Sequence, residues 1–212
     1  MHADFWHERW QRGEIAFHEG QPNTFLVKYF DQLQLAPHAR IFVPLCGKTV
    51  DIHWLLQQGY RVVGAELSPL AIDALFAELG VTPQITPVGE LLHYAAPHLE
   101  VFVGDIFEVS AEQLGQVDAV YDRAALVALP TDLRARYAAH LQQMTATSPQ
   151  LVVTFDYDQD QLAGPPFAIS PTRLQDLYGK NYQLIPLDTA PLMLKGKVAA
   201  TEGVWLLQPQ TT

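Results

Sequence analysis

The chain is poor in cysteine, in charge and in long apolar runs, and each scarcity excludes something. Its 212 residues include one cysteine, Cys46, so no internal disulfide can form, which fits a reducing cytosol. Lysine and arginine total 13 against 23 acidic residues, a net charge of −10, and no basic cluster is larger than Lys195-Gly196-Lys197. A protein that tracks phosphates needs basic clusters, so neither a nucleic acid nor an anionic membrane is the expected partner. No apolar run approaches the roughly 18 residues of a membrane-spanning helix. The opening "MHADFWHERW" has no apolar core, so no secretory leader is expected and the compartment expected is the cytoplasm. The eight histidines form no H-x-x-x-H or H-E-x-x-H pattern, and no metal site is expected.

What is present is material for a core. Apolar residues make up 49% of the chain and charged residues only 17%, which argues for a folded domain. The length suits one domain over residues 1–212, with residues 1–37 as an N-terminal helical cap. The spacing predicts a cap helix with Asp4 as its N-cap, ending near Gly13, and a second helix from Pro22. From Arg40 strands and helices alternate. "RIFVPL", "YRVVGAEL", "LEVFVGD", "QVDAVYDR", "QLVVTFDYD", "YQLIPLDT" and "ATEGVWLLQ" read as strands. "TVDIHWLLQQG" and "SPLAIDALFAELG" read as helices, the latter with Ser68 as N-cap, Pro69 first and Gly80 after its end. "TDLRARYAAHLQQM", capped by Thr131, and "SPTRLQDLYG" complete the set. This order predicts an α/β, doubly wound, mostly parallel sheet of seven strands with an antiparallel final strand.

In such sheets ligands sit beyond the carboxyl ends of the strands. The residues there are Pro44–Lys48, Glu66-Leu67, Gly104–Ile106 and Asp122-Arg123, with the loop after Phe155. The first loop, "VPLCGKTVD", ends like a phosphate loop, but G-x-x-x-x-G-K-[ST] requires glycine where Phe42 stands. A dinucleotide loop requires three glycines, and only Gly47 is present. No motif places a histidine beside Cys46, whose alternative reading is a small buried residue in a tight turn. Gly47 still allows a sharp turn and a close approach of backbone to ligand. Glu66 follows about twenty residues later at the end of a strand, where a carboxylate accepts from ribose hydroxyls. A ribose without a diphosphate points to an adenosine with an uncharged or cationic tail, and S-adenosylmethionine is such a molecule.

Asp105 in "GDIF" could bond the adenine or cap a short helix, and Ile106 and Phe107 would supply an apolar slot. Arg123 keeps its proton, so it orients an anion and is no base. Its alternative is an ion pair with Asp122 or Asp118. Trp6 and Trp10 lie one helical turn apart, either as core packing or as an aromatic cover for a sulfonium.

These residues are specific enough to compare with a known family. "FWHERWQRGEIAFH", "VPLCGKTVDIHWLLQQGYRVVGAELS", "GDIF", "DRAALVALP" and "GPPF" run in order over nearly the whole chain. The sequence resembles the thiopurine S-methyltransferases, particularly the bacterial ones. The resemblance implies a class I, Rossmann-like S-adenosylmethionine-dependent methyltransferase that transfers the methyl to sulfur of thiopurines such as 6-mercaptopurine. Bacterial relatives are also associated with methylating selenium and tellurium compounds, and so with tellurite resistance. Carried over by motif, the cofactor contacts are Trp10, Leu45, Glu66, Asp105, Ile106 and Arg123, with Trp6, Gly47 and Leu67 as neighbours. Phe17, His18, Pro166 and Phe167 fall on the acceptor side, and Arg123 would act on the reacting acceptor. The implied partner is a small thiol or selenol, and the implied state is a monomer.

Overall fold

Ile41, Phe42 and Val43 are all buried, and successive residues face opposite sides of a strand, so β1 (Arg40–Pro44) needs a cover on both faces. The computed structural model, which describes residues 3–14 and 19–210, supplies it. β1 pairs in parallel with β2 (Arg61–Glu66) on one side and β6 (Ala119–Asp122) on the other. β5 (Leu99–Val103) extends the sheet beyond β2, and β7 (Gln150–Asp156) beyond β6, both in parallel. Ile41 and Val43 join Val62, Val101, Tyr121 and Val153 under α2 (Thr24–Tyr29), α3 (Val50–Gln57) and α4 (Pro69–Leu79). Phe42 joins Val63, Phe102, Val120 and Val152 on the opposite face, under α5 (Ala111–Leu114), α6 (Thr131–Met144) and α7 (Pro171–Tyr178). Strand order reverses at β1, which opens the crevice where the predicted site lies.

The sheet has nine strands rather than the expected seven. The two additional ones, β3 (Gln84–Val88) and β4 (Leu91–Ala96), form an antiparallel hairpin beyond β5. β3 is an edge strand with no buried residue and with Pro87 in it, so it carries no alternation to read. At the other end β8 (Tyr182–Leu194) and β9 (Val198–Pro209) form the expected antiparallel hairpin. Both arms run longer than predicted, and β9 lies between β7 and β8. Lys195 and Gly196, read from sequence only as part of a basic cluster, turn the hairpin with φ of 49° and 66°. Lys197 N–H donates to Leu194 O at 3.0 Å across them, and two positive central φ values mark a type I′ turn within this three-residue loop.

Helix ends show two further corrections. α6 begins at Thr131, and its N-cap is Pro130. The cap helix α1 spans Ala3–Arg12, which puts Asp4 in its first turn rather than at its N-cap. Ser68, Pro69 and Gly80 stand at the ends of α4 as expected. α2 is capped by Asn23, whose side chain accepts from Phe25 and Leu26 N–H. No helix among the described residues is long and apolar enough to cross a membrane.

Candidate functional site

The turn after β1 is shaped by two positive φ values, 45° at Leu45 and 51° at Gly47. Between them Cys46 packs into the core, 6% exposed. Gly64 on β2 makes this possible, because a Cβ there would stand 2.9 Å from the Cys46 Sγ. Burial, and then the Glu66 charge, push the Cys46 thiol well above its ordinary pKa. A buried thiol held protonated is a poor nucleophile, so the small-residue reading fits it.

Glu66 ends β2 and faces this turn. Its Oε2 accepts from Gly47 N–H at 2.8 Å and its Oε1 from Ser68 N–H at 2.9 Å. Burial pushes its carboxyl above the ordinary range, against the pull of the Ser68, Gly47 and Leu67 N–H groups. A carboxylate has about four lone-pair sites, and these two bonds leave room for the paired hydroxyls of a ribose. Glu66 O also accepts from Gly104 N–H at 2.9 Å, which ties the end of β5 to the end of β2. Gly104 has φ 144°, and a Cβ there would meet Leu91 at 2.6 Å. The donor set therefore fits an adenosine, with Leu45, Gly47, Glu66, Leu67 and Gly104 converging at adjacent strand ends.

Asp105 does cap the short 3₁₀ turn Ile106–Glu108, accepting Phe107 N–H at 3.0 Å. It is exposed, so its second oxygen remains open to a ligand. Ile106 is 4% exposed and belongs to the core beneath the site. Phe107 lies under the Arg136 guanidinium, 3.7 Å from ring centre to carbon, and beside His140. Phe107 is therefore already paired with α6 residues.

Arg123 follows β6, with a side chain only 9% exposed. It forms an ion pair with Glu19 of the cap segment, and not with Asp122 or Asp118, the alternative reading from sequence. Those two are committed elsewhere. Asp122 accepts from Leu126 N–H and Tyr137 O–H, and Asp118 from Arg40 N–H. Around Arg123 the fold gathers groups that the sequence reading missed. Tyr121 O–H donates to Asp51 at 3.0 Å, Asn23 N–H donates to Asp51 at 2.7 Å, and the Asn23 amide reaches Glu202 on β9. Burial pushes the Glu202 carboxyl up, against the attraction of Arg123. The one sequence signal was a carboxylate inside the apolar strand "ATEGVWLLQ".

Trp6 and Trp10 are half-buried on α1, which packs against α4 beside the Glu66 end of β2. Pro166 and Phe167 lie in the segment after β7. Phe167 N–H donates to Val127 O at 2.7 Å, and Tyr157 O–H to Pro166 O at 2.6 Å. Gly164, with φ 79°, packs so tightly on the Phe167 ring that a Cβ would come within 2.5 Å of it. The loop is therefore anchored beside the end of β6, near Arg123 in sequence. Phe17 and His18 lie outside the described residues.

The family model for Thiopurine S-methyltransferase (TPMT) matches residues 1–207. The chain belongs to this family. A thiopurine S-methyltransferase of Xanthobacter autotrophicus is 57% identical over 211 residues, spanning 98% of this chain and 99% of that protein. One of Gluconobacter oxydans is 46% identical, spanning 98% and 95%. Among solved structures, the 1,6-didemethyltoxoflavin-N1-methyltransferase of Burkholderia thailandensis superposes with a TM-score of 0.66 at 14% identity, over 97% of this chain and 87% of that one. A TehB-like methyltransferase of Corynebacterium glutamicum gives 0.58 at 15%, over 99% and 98%. At such identities the likeness shows the fold. Family and fold together make the chain an S-adenosylmethionine-dependent methyltransferase, with S-adenosylmethionine as its cofactor.

Proposed function

We propose that this methyltransferase acts on the sulfur of thiopurines of the 6-mercaptopurine type. The observation that carries the reading is Arg123, a nearly buried guanidinium at the end of β6 beside the crevice. Bound there, S-adenosylmethionine supplies an electrophilic methyl carbon on a sulfonium. Glu66 holds the ribose and the Leu45–Gly47 turn passes close to it. Arg123 exchanges Glu19 for the anionic acceptor and keeps it ionised. A thiolate is already a strong nucleophile, so no general base is required. The protein mainly aligns the partners, and such positioning contributes up to about 7–11 kcal/mol. Trp6 and Trp10 cover the cofactor side, and Pro166 and Phe167 border the acceptor. In this reading the chain works as a cytoplasmic monomer on a diffusible thiol or selenol.

The test is a methyl-transfer assay with 6-mercaptopurine, a selenol and tellurite at equal concentrations. S-methylated 6-mercaptopurine as the product with the highest kcat/KM supports the reading. A selenol or tellurite preferred by orders of magnitude makes metalloid methylation the activity, and no turnover of any thiol overturns the proposal.

A further inference from the structure

A second cationic place lies on the α6–α7 side of the fold, separate from the cofactor turn. Arg134 on α6 is 4% exposed. Its Nε donates to Leu129 O at 2.7 Å and its Nη1 reaches Ala168 O at 3.4 Å. Its guanidinium carbon stands 5.2 Å from the centre of the Phe167 ring. Among the described residues it forms no ion pair, and neither does Arg173. An enclosed cation without a counter-charge is unfavourable unless an anion arrives.

Arg134 borders a cleft of about 270 Å³, and Arg173 lines the same cleft. Burial, and then the charge of Arg173, lower the Arg134 pKa, as two like charges on one cavity require. Ser170, the N-cap of the eight-residue helix α7, opens on the cleft too, so the positive end of that helix points the same way. Thr131 adds a hydroxyl. Asp156 is the one acid in the lining; it is exposed and pairs with neither arginine.

We propose that this cleft binds a small inorganic oxyanion, phosphate or sulfate, between Arg134 and Arg173. Guanidinium forks match the oxygens of such ions, and among the described residues the Arg134 Nη2 donors meet no acceptor. The Ser170 and Thr131 hydroxyls supply further donors. Because Arg134 also touches Phe167, an occupied cleft holds the Gly164–Phe167 loop from behind. Binding here does not depend on which acceptor the enzyme methylates.

The experiment is calorimetric titration of the full chain with sodium phosphate at constant ionic strength, followed by competition with sulfate. One saturable site per chain is expected. Arg173→Gln, an exposed position, should weaken it about tenfold or more, the loss of one charge-assisted contact. Arg173→Lys should keep part of it. Arg61→Gln removes the same charge at the amino end of β2, an interior strand away from the cleft, and should leave it unchanged. Absence of saturable heat, undiminished binding in R173Q, or an equal loss in R61Q each overturns the proposal.

Discussion

Gly47 N–H donates to Glu66 Oε2 at 2.8 Å, so the turn after β1 and the end of β2 form one unit. Glu66→Ala removes the ribose acceptor and the anchor of the turn together. Charge-assisted bonds contribute roughly 1.5–3 kcal/mol each, so S-adenosylmethionine should bind at least about tenfold more weakly. Calorimetry checks this; an unchanged Kd would mean that the carboxylate serves the turn alone.

Arg123 and Glu19 divide differently. Arg123→Ala should lower kcat/KM for a thiol acceptor by about a hundredfold, the scale of losing an electrostatic contact to the reacting group. Arg123→Lys should recover part, since it restores the charge but not the fork. Glu19→Gln removes the carboxylate that competes for the guanidinium, so KM for an anionic thiol should fall. Its half-exposed carboxylate contributes little to folding, and stability should move by less than about 1 kcal/mol. A higher KM in E19Q would place Glu19 on the acceptor's side.

Cys46 is enclosed and its thiol is held protonated. Cys46→Ala should keep the kcat of the parent enzyme, and iodoacetamide should label the native chain far more slowly than the urea-unfolded one. Rapid labelling of the native protein with parallel loss of activity would restore Cys46 as a reactive group.

Asp122 carries a pH signature. Burial raises its carboxyl from the ordinary 3.8 to about 6, against the Leu126 N–H and Tyr137 O–H bonds. A raised folded pKa means that the native state binds the proton more tightly. The stability from that proton is fully present below the unfolded pKa and is lost as pH rises through about 6. The shift corresponds to about 3 kcal/mol. Urea midpoints of the parent and Asp122→Asn should therefore diverge between pH 4 and 7, the parent losing ground as pH rises. Parallel profiles would contradict the assignment.

Much of this was legible in the sequence. The interior strands announced themselves because burial on both faces demands unbroken apolar runs, as in "RIFVPL". Gly47 and Glu66 were legible as neighbours because strand and helix lengths fix the spacing between strand ends, but the hydrogen bond between them was not. The β3–β4 hairpin was not, since β3 buries nothing and its residues answer only to β4. Arg123 was identified, but its partner was not, because Glu19 arrives from the cap. Glu202 approaches on a strand from the far end of the sheet, and no local pattern records such a meeting.

The place of β9 has a consequence for how the molecule is made. β8 reaches the sheet only through β9, yet it precedes β9 in the chain. A nascent chain can assemble β1, β2, β5, β6 and β7 while β8 has nowhere to dock. Until β9 is released, β7 presents a bare edge of unpaired backbone groups, the template on which chains aggregate. The same strand brings Glu202, so the cluster of polar groups around Arg123 is finished only when that edge is closed.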